Sequence, residues 1–195
     1  MKKSAFIISA VIGTVTLLSG CLIPERFTAK IDFQPDANYT FHYSGTAVHA
    51  LAAAEIKKKG SLSEKDENGL KSDAEKLSKK PDIQKAIYKG NGRYELEIES
   101  AKKAGQPLRA LDIFSVKTGK DGVVTISSNE IKDKDKRELE QLGIAINGVL
   151  EVRLPKNANV ISHNATTTPT LGIGSYSWKI GRIDQRPMMK VQFNP

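Results

Sequence analysis

The chain contains one cysteine, Cys21, in 195 residues. It directly follows an uncharged apolar stretch over residues 5–18, and Lys2 and Lys3 stand before that stretch. Small residues precede the cysteine, as at the cleavage site of a secretory signal peptide. We therefore predict an export signal over residues 1–20. Because a lone cysteine has no partner within its own chain, the exported fold must be held together by its hydrophobic core, without disulfides.

Two other interpretations of the apolar stretch are open, a membrane-anchoring helix and a plain secretory signal with an incidental cysteine. A membrane-spanning helix needs about 20 apolar residues to cross about 30 Å of hydrocarbon. The stretch here is shorter and ends in Ser19 and Gly20 instead of a charged stop. The sequence therefore favours a signal that is removed.

The four residues Leu18-Ser19-Gly20-Cys21 resemble the lipobox of bacterial lipoproteins. The resemblance implies cleavage between Gly20 and Cys21, a diacylglycerol on the Cys21 thiol and an acyl chain on the new amine. One acyl chain gives only marginal membrane binding, whereas two or more anchor a protein stably. The residue after the cysteine is Leu22, which in Gram-negative lipoproteins implies the periplasmic side of the outer membrane.

Behind this anchor we predict a short lipidated tether over residues 21–26 and a single domain over residues 27–195. The formal net charge of the whole chain is +8, yet cations and carboxylates alternate, as in Lys132-Asp133-Lys134-Asp135-Lys136. Interleaved charge is typical of a solvated surface and lacks the one-signed stripe of a nucleic-acid binder. We expect no nucleic-acid partner. The positive excess could attract anionic lipid head groups or glycans.

The segments at the start of this domain alternate in polarity with a period of two. Apolar residues recur from Phe27 to Phe33, and again from Tyr39 to Tyr43, across the turn residues 34–38. This pattern predicts a hairpin of two half-buried strands. Three stretches are predicted as helices instead, and they are Ala47–Lys59, Ser72–Lys80 and Lys132–Leu142.

Further strand signals follow each other between turns rich in Gly and Asn. They cover Ile83–Lys89, Arg93–Ser100, Leu111–Lys117, Val123–Ser128, Val149–Leu154, Ala158–His163, Ser175–Ile180 and Met188–Phe193. Hairpins outnumber βαβ units, so we predict an α+β domain with a mainly antiparallel sheet of about eight strands, on which two or three helices pack.

No constellation of residues points to catalysis. The histidines, His42, His49 and His163, lack the spacing of a zinc site. Glu95, Glu97 and Glu99 share one strand face, where lysines or solvent explain them. We therefore expect no enzymatic activity, no metal and no cofactor.

A ligand site is suggested by aromatic residues that share strand faces near an alanine-rich helix. We predict that Phe41, Leu51 and Trp178 line a pocket for an acyl chain. The alternative is that these side chains belong to the ordinary core between helix and sheet.

Cys21 followed by a strand hairpin, together with Val160–Ala165 and Gly174–Trp178, resembles the LppM-type bacterial envelope lipoproteins. The resemblance implies a compact α+β domain similar to lipid-binding proteins. The sequence thus predicts a lipid-anchored envelope protein that binds a lipid or acyl-containing ligand without turnover. The alternative is a scaffold lipoprotein that contacts peptidoglycan or an envelope protein through a lysine-rich surface.

Overall fold

The structure is a computed structural model that describes residues 22–111, 114–128, 131–181 and 186–194. The strands in these ranges are β1 (Leu22–Phe33), β2 (Tyr39–His49), β3 (Ile83–Gly90), β4 (Arg93–Lys102), β5 (Leu108–Ala110), β6 (Phe114–Thr118), β7 (Val124–Ser128), β8 (Asn147–Arg153), β9 (Ala158–His163), β10 (Tyr176–Ile180) and β11 (Met188–Phe193). The helices are α1 (Ala50–Lys59), α2 (Glu64–Leu77) and α3 (Asp133–Gln141).

The strands form two sheets. One has six strands in the order β10-β8-β1-β2-β4-β3, and the other has five in the order β5-β6-β7-β11-β9. The β1–β8 pair is parallel and the remaining pairs are antiparallel. The predicted α+β class is confirmed. The predicted count of about eight strands is too low, in part because β5 is too short to show a period in the sequence.

Strand alternation gives the six-stranded sheet one apolar face, which we call the inner face. From Phe27 onward, the buried side chains that β1 places there are Phe27, Ala29, Ile31 and Phe33. The opposite face carries ion pairs between neighbouring strands, such as Lys30–Glu151 at 3.6 Å and Lys85–Glu95 at 2.6 Å. The inner face is therefore the side on which the core forms.

Two different covers lie on the inner face. The ring of Phe114 from the five-stranded sheet meets Phe27 and Phe41, with ring centroids 5.6 and 6.5 Å apart. Over β3 and β4 the cover is α2, where the Tyr94 hydroxyl donates to the Leu70 carbonyl oxygen at 3.2 Å. The core is thus made by a sheet on one half and by a helix on the other.

Phe27 packs against a glycine on each neighbouring strand. It is paired with Gly45 of β2 and with Gly148 of β8. A Cβ atom at position 148 would lie 2.5 Å from the Phe27 ring, and one at position 45 would lie 2.3 Å from the Arg26 carbonyl oxygen. Both positions therefore require the absence of a side chain.

The predicted tether over residues 21–26 is wrong for Leu22–Arg26, which form the start of β1. Leu22 pairs with His49 and is only 4% exposed. An irregularity in the β1–β2 register between Pro24 and Phe27 breaks the period of two. The sequence alternation therefore became visible only from Phe27 onward.

The first helix begins later than predicted, at Ala50. Ala47 and Val48 belong to β2, where they are fully buried and pair with β4. The predicted end is confirmed by Gly60, whose φ of 85° is left-handed and whose N–H donates to the Ile56 carbonyl at 2.7 Å.

The second helix begins earlier than predicted, at Glu64 instead of Ser72. Ser63 caps it, because its hydroxyl oxygen accepts from the Asp66 N–H at 3.2 Å. The Asn68-Gly69 pair, predicted as a turn, lies inside the helix. Burial of Leu70 and Ala74 against the sheet outweighs the low helix propensity of glycine. The third helix agrees with its predicted range to within one residue at each end.

His49, the last residue of β2, caps α1. Its Nδ1 atom accepts from the Ala52 N–H at 3.2 Å, which requires Nδ1 to be unprotonated. Burial lowers the pKa of His49 below its ordinary value, and the nearby Asp73 carboxylate opposes that shift without cancelling it. The neutral imidazole is therefore the form that the fold stabilises.

We expect the stability of the domain to decrease when His49 is protonated. The folded-state pKa is lower than the unfolded value of about 6.5, so this contribution is complete above that pH and is lost as the pH falls through the folded pKa. Loss of the cap should cost about 1 kcal/mol. His49→Asn keeps a capping side chain that does not titrate. Urea unfolding near neutral and mildly acidic pH should show a shallower pH dependence for the variant, and identical pH dependences would contradict the assignment.

Candidate ligand-binding cleft

A cleft of ≈ 470 Å³ opens over the inner face, between the C-terminal end of α2 and strand β5. Its apolar lining consists of Leu22, Phe41, Leu77, Pro81, Ile83, Ile98, Pro107, Leu108, Ala110 and Leu111. This volume falls in the range of about 300–1,000 Å³ that is typical of small-molecule sites. The cleft exists because α2 and the five-stranded sheet cover separate parts of the inner face.

The two segments that cover the inner face, α2 and β5, both end at the edge of the cleft because of residues visible in the sequence. On one side α2 ends at Leu77 and the chain turns through Pro81, a residue that cannot continue a helix hydrogen-bond ladder. On the other side β5 ends at Ala110, and Leu111 adopts a left-handed φ of 49°. Both segments thus leave the inner face at this point, so that Ile98 is only partly covered.

Polar side chains line part of the same cleft. The buried Ser100 hydroxyl donates to Asp82 Oδ2 at 2.9 Å, and the Lys102 ammonium lies 3.3 Å from the same oxygen. Lys80 adds a second cation to the lining. The cleft therefore offers an apolar bed together with a small charged and hydrogen-bonding group, which suits an amphiphile with an acyl portion.

The structure does not bring Phe41, Leu51 and Trp178 together, so the predicted common pocket is corrected. Phe41 is fully buried and lines the cleft. Leu51 lies instead in a groove of ≈ 460 Å³ between α1 and α2, with polar neighbours such as Glu55 and Asp66. Trp178 is apart from Phe41 because β8 and β1 lie between β10 and β2, and Leu51 lies on α1.

Trp178 has a structural environment on β10. It is 4% exposed, and its indole Nε1–H donates to Asn164 Oδ1 at 2.7 Å. The Met188 N–H donates to the same oxygen at 2.8 Å. Asn164 therefore links the edge of the six-stranded sheet to the start of β11, and Trp178 belongs to the core as the alternative interpretation had it.

Several cleft residues were not identified from the sequence. Ile98 could have been found, because its alternation with Tyr94 and Leu96 places it on the apolar face of β4. Leu22 and Leu108 carried no such signal. The first lies before the irregular β1–β2 register and the second lies in a strand of three residues.

The predicted cleavage and lipidation residues, Gly20 and Cys21, lie outside the described residues. Within the described ranges, no helix is both long and apolar enough to cross a bilayer. In the same ranges, no group of three or more His, Cys, Asp or Glu side chains is placed to hold a metal ion.

The arrangement defines a two-sheet α+β domain with a partly apolar cleft at the boundary between its helical and sheet covers. It is similar to the folded domain of the LppM protein of Mycobacterium tuberculosis, solved by NMR, with a TM-score of 0.39 and 12% sequence identity over 90% of this chain and 93% of that chain. No protein-family model and no curated protein matches the sequence. Acylation of Cys21 stays a prediction.

Proposed function

We propose that this chain is a lipid-anchored envelope protein, acylated at Cys21, whose domain binds the acyl portion of a lipid in the cleft without chemical turnover. In a Gram-negative cell it would face the periplasm from the outer membrane. The observation that supports the proposal best is the lining of the cleft, which is largely apolar and includes Leu22, the residue that follows Cys21.

The composition of the cleft indicates how a lipid would be held. An acyl chain lying on Leu77, Ile83 and Ile98, which are only partly buried, would remove apolar surface from water, which is worth about 25 cal/mol per Å². The polar portion of the ligand would face Lys80, Lys102 and the Asp82–Ser100 pair. A site of this kind selects for an amphiphile and tolerates variation in chain length.

A charge placed in the cleft should abolish lipid binding. Ile98→Asp puts a carboxylate in the apolar lining, where its desolvation opposes an acyl ligand. We expect lipid that co-purifies with the protein, measured by native mass spectrometry, to fall by about tenfold or more, equivalent to about 1.4 kcal/mol. Leu77→Trp, which fills the cleft without adding charge, should have the same effect.

The matched control is Ile87→Asp, which changes the same residue type on the neighbouring strand β3. Ile87 is 43% exposed and does not line the cleft. This variant should retain the lipid content of the unmodified protein. A protein that carries no lipid from its host, or cleft variants that retain it fully, would show that the cleft is not a lipid site.

A further inference from the structure

The anchor and the folded domain are joined without a spacer. Strand β1 begins at Leu22, which is buried and paired with His49. Adjacent Cα atoms are about 3.8 Å apart, so an acylated Cys21 at the bilayer surface holds Leu22 within a few ångströms of the lipid head groups. The end of the domain formed by Leu22, His49 and the first turn of α1, here called the anchor end, must therefore face the bilayer.

An exposed apolar side chain lies at the anchor end. Leu51 is 66% exposed and follows His49, the strand partner of Leu22, by two residues. Ala54, three residues further along α1, is exposed on the same helix face. A leucine in this position is costly in water and favourable in the head-group region, where interfacial helices bury their apolar face by about 5–10 Å.

The same helix ends in cations, at Lys57, Lys58 and Lys59. Lys59 is paired with Glu55 at 2.5 Å, and the Lys57 ammonium donates to the Gln141 carbonyl oxygen of α3. Residues 132–142, which include α3, carry equal numbers of cations and carboxylates and therefore add no net charge to this part of the surface. Helix α2, which borders Leu51 in the same groove, carries five carboxylates and three lysines. The positive excess that complements anionic lipid is therefore confined to the last turn of α1.

We infer that α1 docks on the surface of the bilayer that holds the anchor, with Leu51 inserted among the head groups and the lysines 57–59 facing anionic phosphates. The inference rests on the proposed acylation of Cys21. Leu22 is the cleft residue at the anchor end, whereas Phe41 pairs with Ile31 of β1 and with Ser100 of β4, further from the bilayer.

The opposite end of the domain offers a matched control site. Leu171 is 95% exposed at the tip of a hairpin closed by hydrogen bonds between Thr170 and Ile173. This hairpin precedes β10, which begins at Tyr176. Tyr176 pairs with Val152 of β8, and Val152 pairs with Ile31 of β1. The tip therefore lies beyond the end of β1 that is far from Leu22.

The test uses the full-length acylated protein in vesicles of phosphatidylethanolamine and phosphatidylglycerol. Cys21 is the only native cysteine, so Leu51→Cys and Leu171→Cys each introduce a single thiol for an environment-sensitive fluorophore. We expect the emission from position 51 to shift to shorter wavelength and to be quenched by doxyl-labelled lipid. The emission from position 171 should remain that of an aqueous probe. Ala54→Cys repeats the measurement on the same face of α1.

Aqueous emission from positions 51 and 54, or equal quenching at positions 51 and 171, would overturn docking through α1. A failure of acylation is detected by a separate measurement, the reaction of the unmodified protein with the thiol reagent. If the unmodified protein reacts with the thiol reagent, Cys21 is free and the proposed anchor is wrong, whatever the fluorophores report.

Discussion

Replacing Cys21 by serine should remove all covalently attached lipid from the protein. The resemblance to the lipobox places the diacylglycerol on the thiol, and a hydroxyl at this position offers no equivalent thioether. Each buried methylene of an acyl chain contributes about 0.8 kcal/mol to membrane attachment, so the loss of two or more chains far exceeds the effect of any surface substitution. Metabolic labelling with a fatty acid and the intact mass of the purified protein measure the result.

The unmodified protein should carry the label, and its mass should correspond to a chain that begins at Cys21 with the lipid added. Cys21→Ser should carry no label and should retain residues 1–20. Ser19→Ala is the matched control, because it preserves a small residue before the cleavage point and should be acylated normally. An unlabelled native protein, or a labelled Cys21→Ser variant, would reject the lipoprotein assignment.

Replacing Gly45 by alanine should destabilise the domain by at least about 3 kcal/mol, the upper end of the usual cost of overpacking. A Cβ atom at this position would lie 2.3 Å from the Arg26 carbonyl oxygen and 2.6 Å from Phe27 Cα. These are backbone atoms of the paired strand, so the clash cannot be relieved by a change of rotamer. The β1–β2 pairing at the centre of the six-stranded sheet would have to open.

Gly69→Ala is the same chemical change, but we expect it to stabilise the domain instead of destabilising it. Gly69 lies inside α2, and a Cβ atom there would meet no other atom within 4 Å. Alanine should therefore stabilise the helix by about 1 kcal/mol. Urea unfolding of both variants measures the two effects, and equal changes in the free energy of unfolding would contradict the packing described for Phe27 and Gly45.

The sequence predicted those elements whose signal is local. The alternation from Phe27 to Phe33 marks a half-buried strand because successive side chains of a strand point to opposite faces. Gly60 ends α1 because a left-handed residue closes the last helical turn. Where tertiary burial opposed local propensity, the prediction was wrong. Ala47 and Val48 fall within the predicted first helix, yet they pair with β4, where Ala47 is buried on the inner face and Val48 packs with Leu139 and Ile144.

The candidate site was predicted only in part, for a related reason. Phe41 was identified because its strand face is visible in the alternation of β2. Its proposed neighbours Leu51 and Trp178 lie elsewhere, because the positions of α1 and β10 depend on long-range pairing. The cleft forms because α2 and the five-stranded sheet cover separate parts of the inner face. The distance between α2 and β5 is not encoded in either segment alone.

The sequence by itself determined the α+β class, most of the alternating strands and the prediction that Cys21 anchors the chain to a membrane. These conclusions depend on properties of short segments, namely polarity period, turn residues and the order of residues around one cysteine. The tertiary structure decided that Leu22–Arg26 belong to the first strand and that Leu22 lines a cleft. Both facts follow from strand pairing and sheet packing between residues far apart in the chain, where burial of apolar surface outweighs local preference.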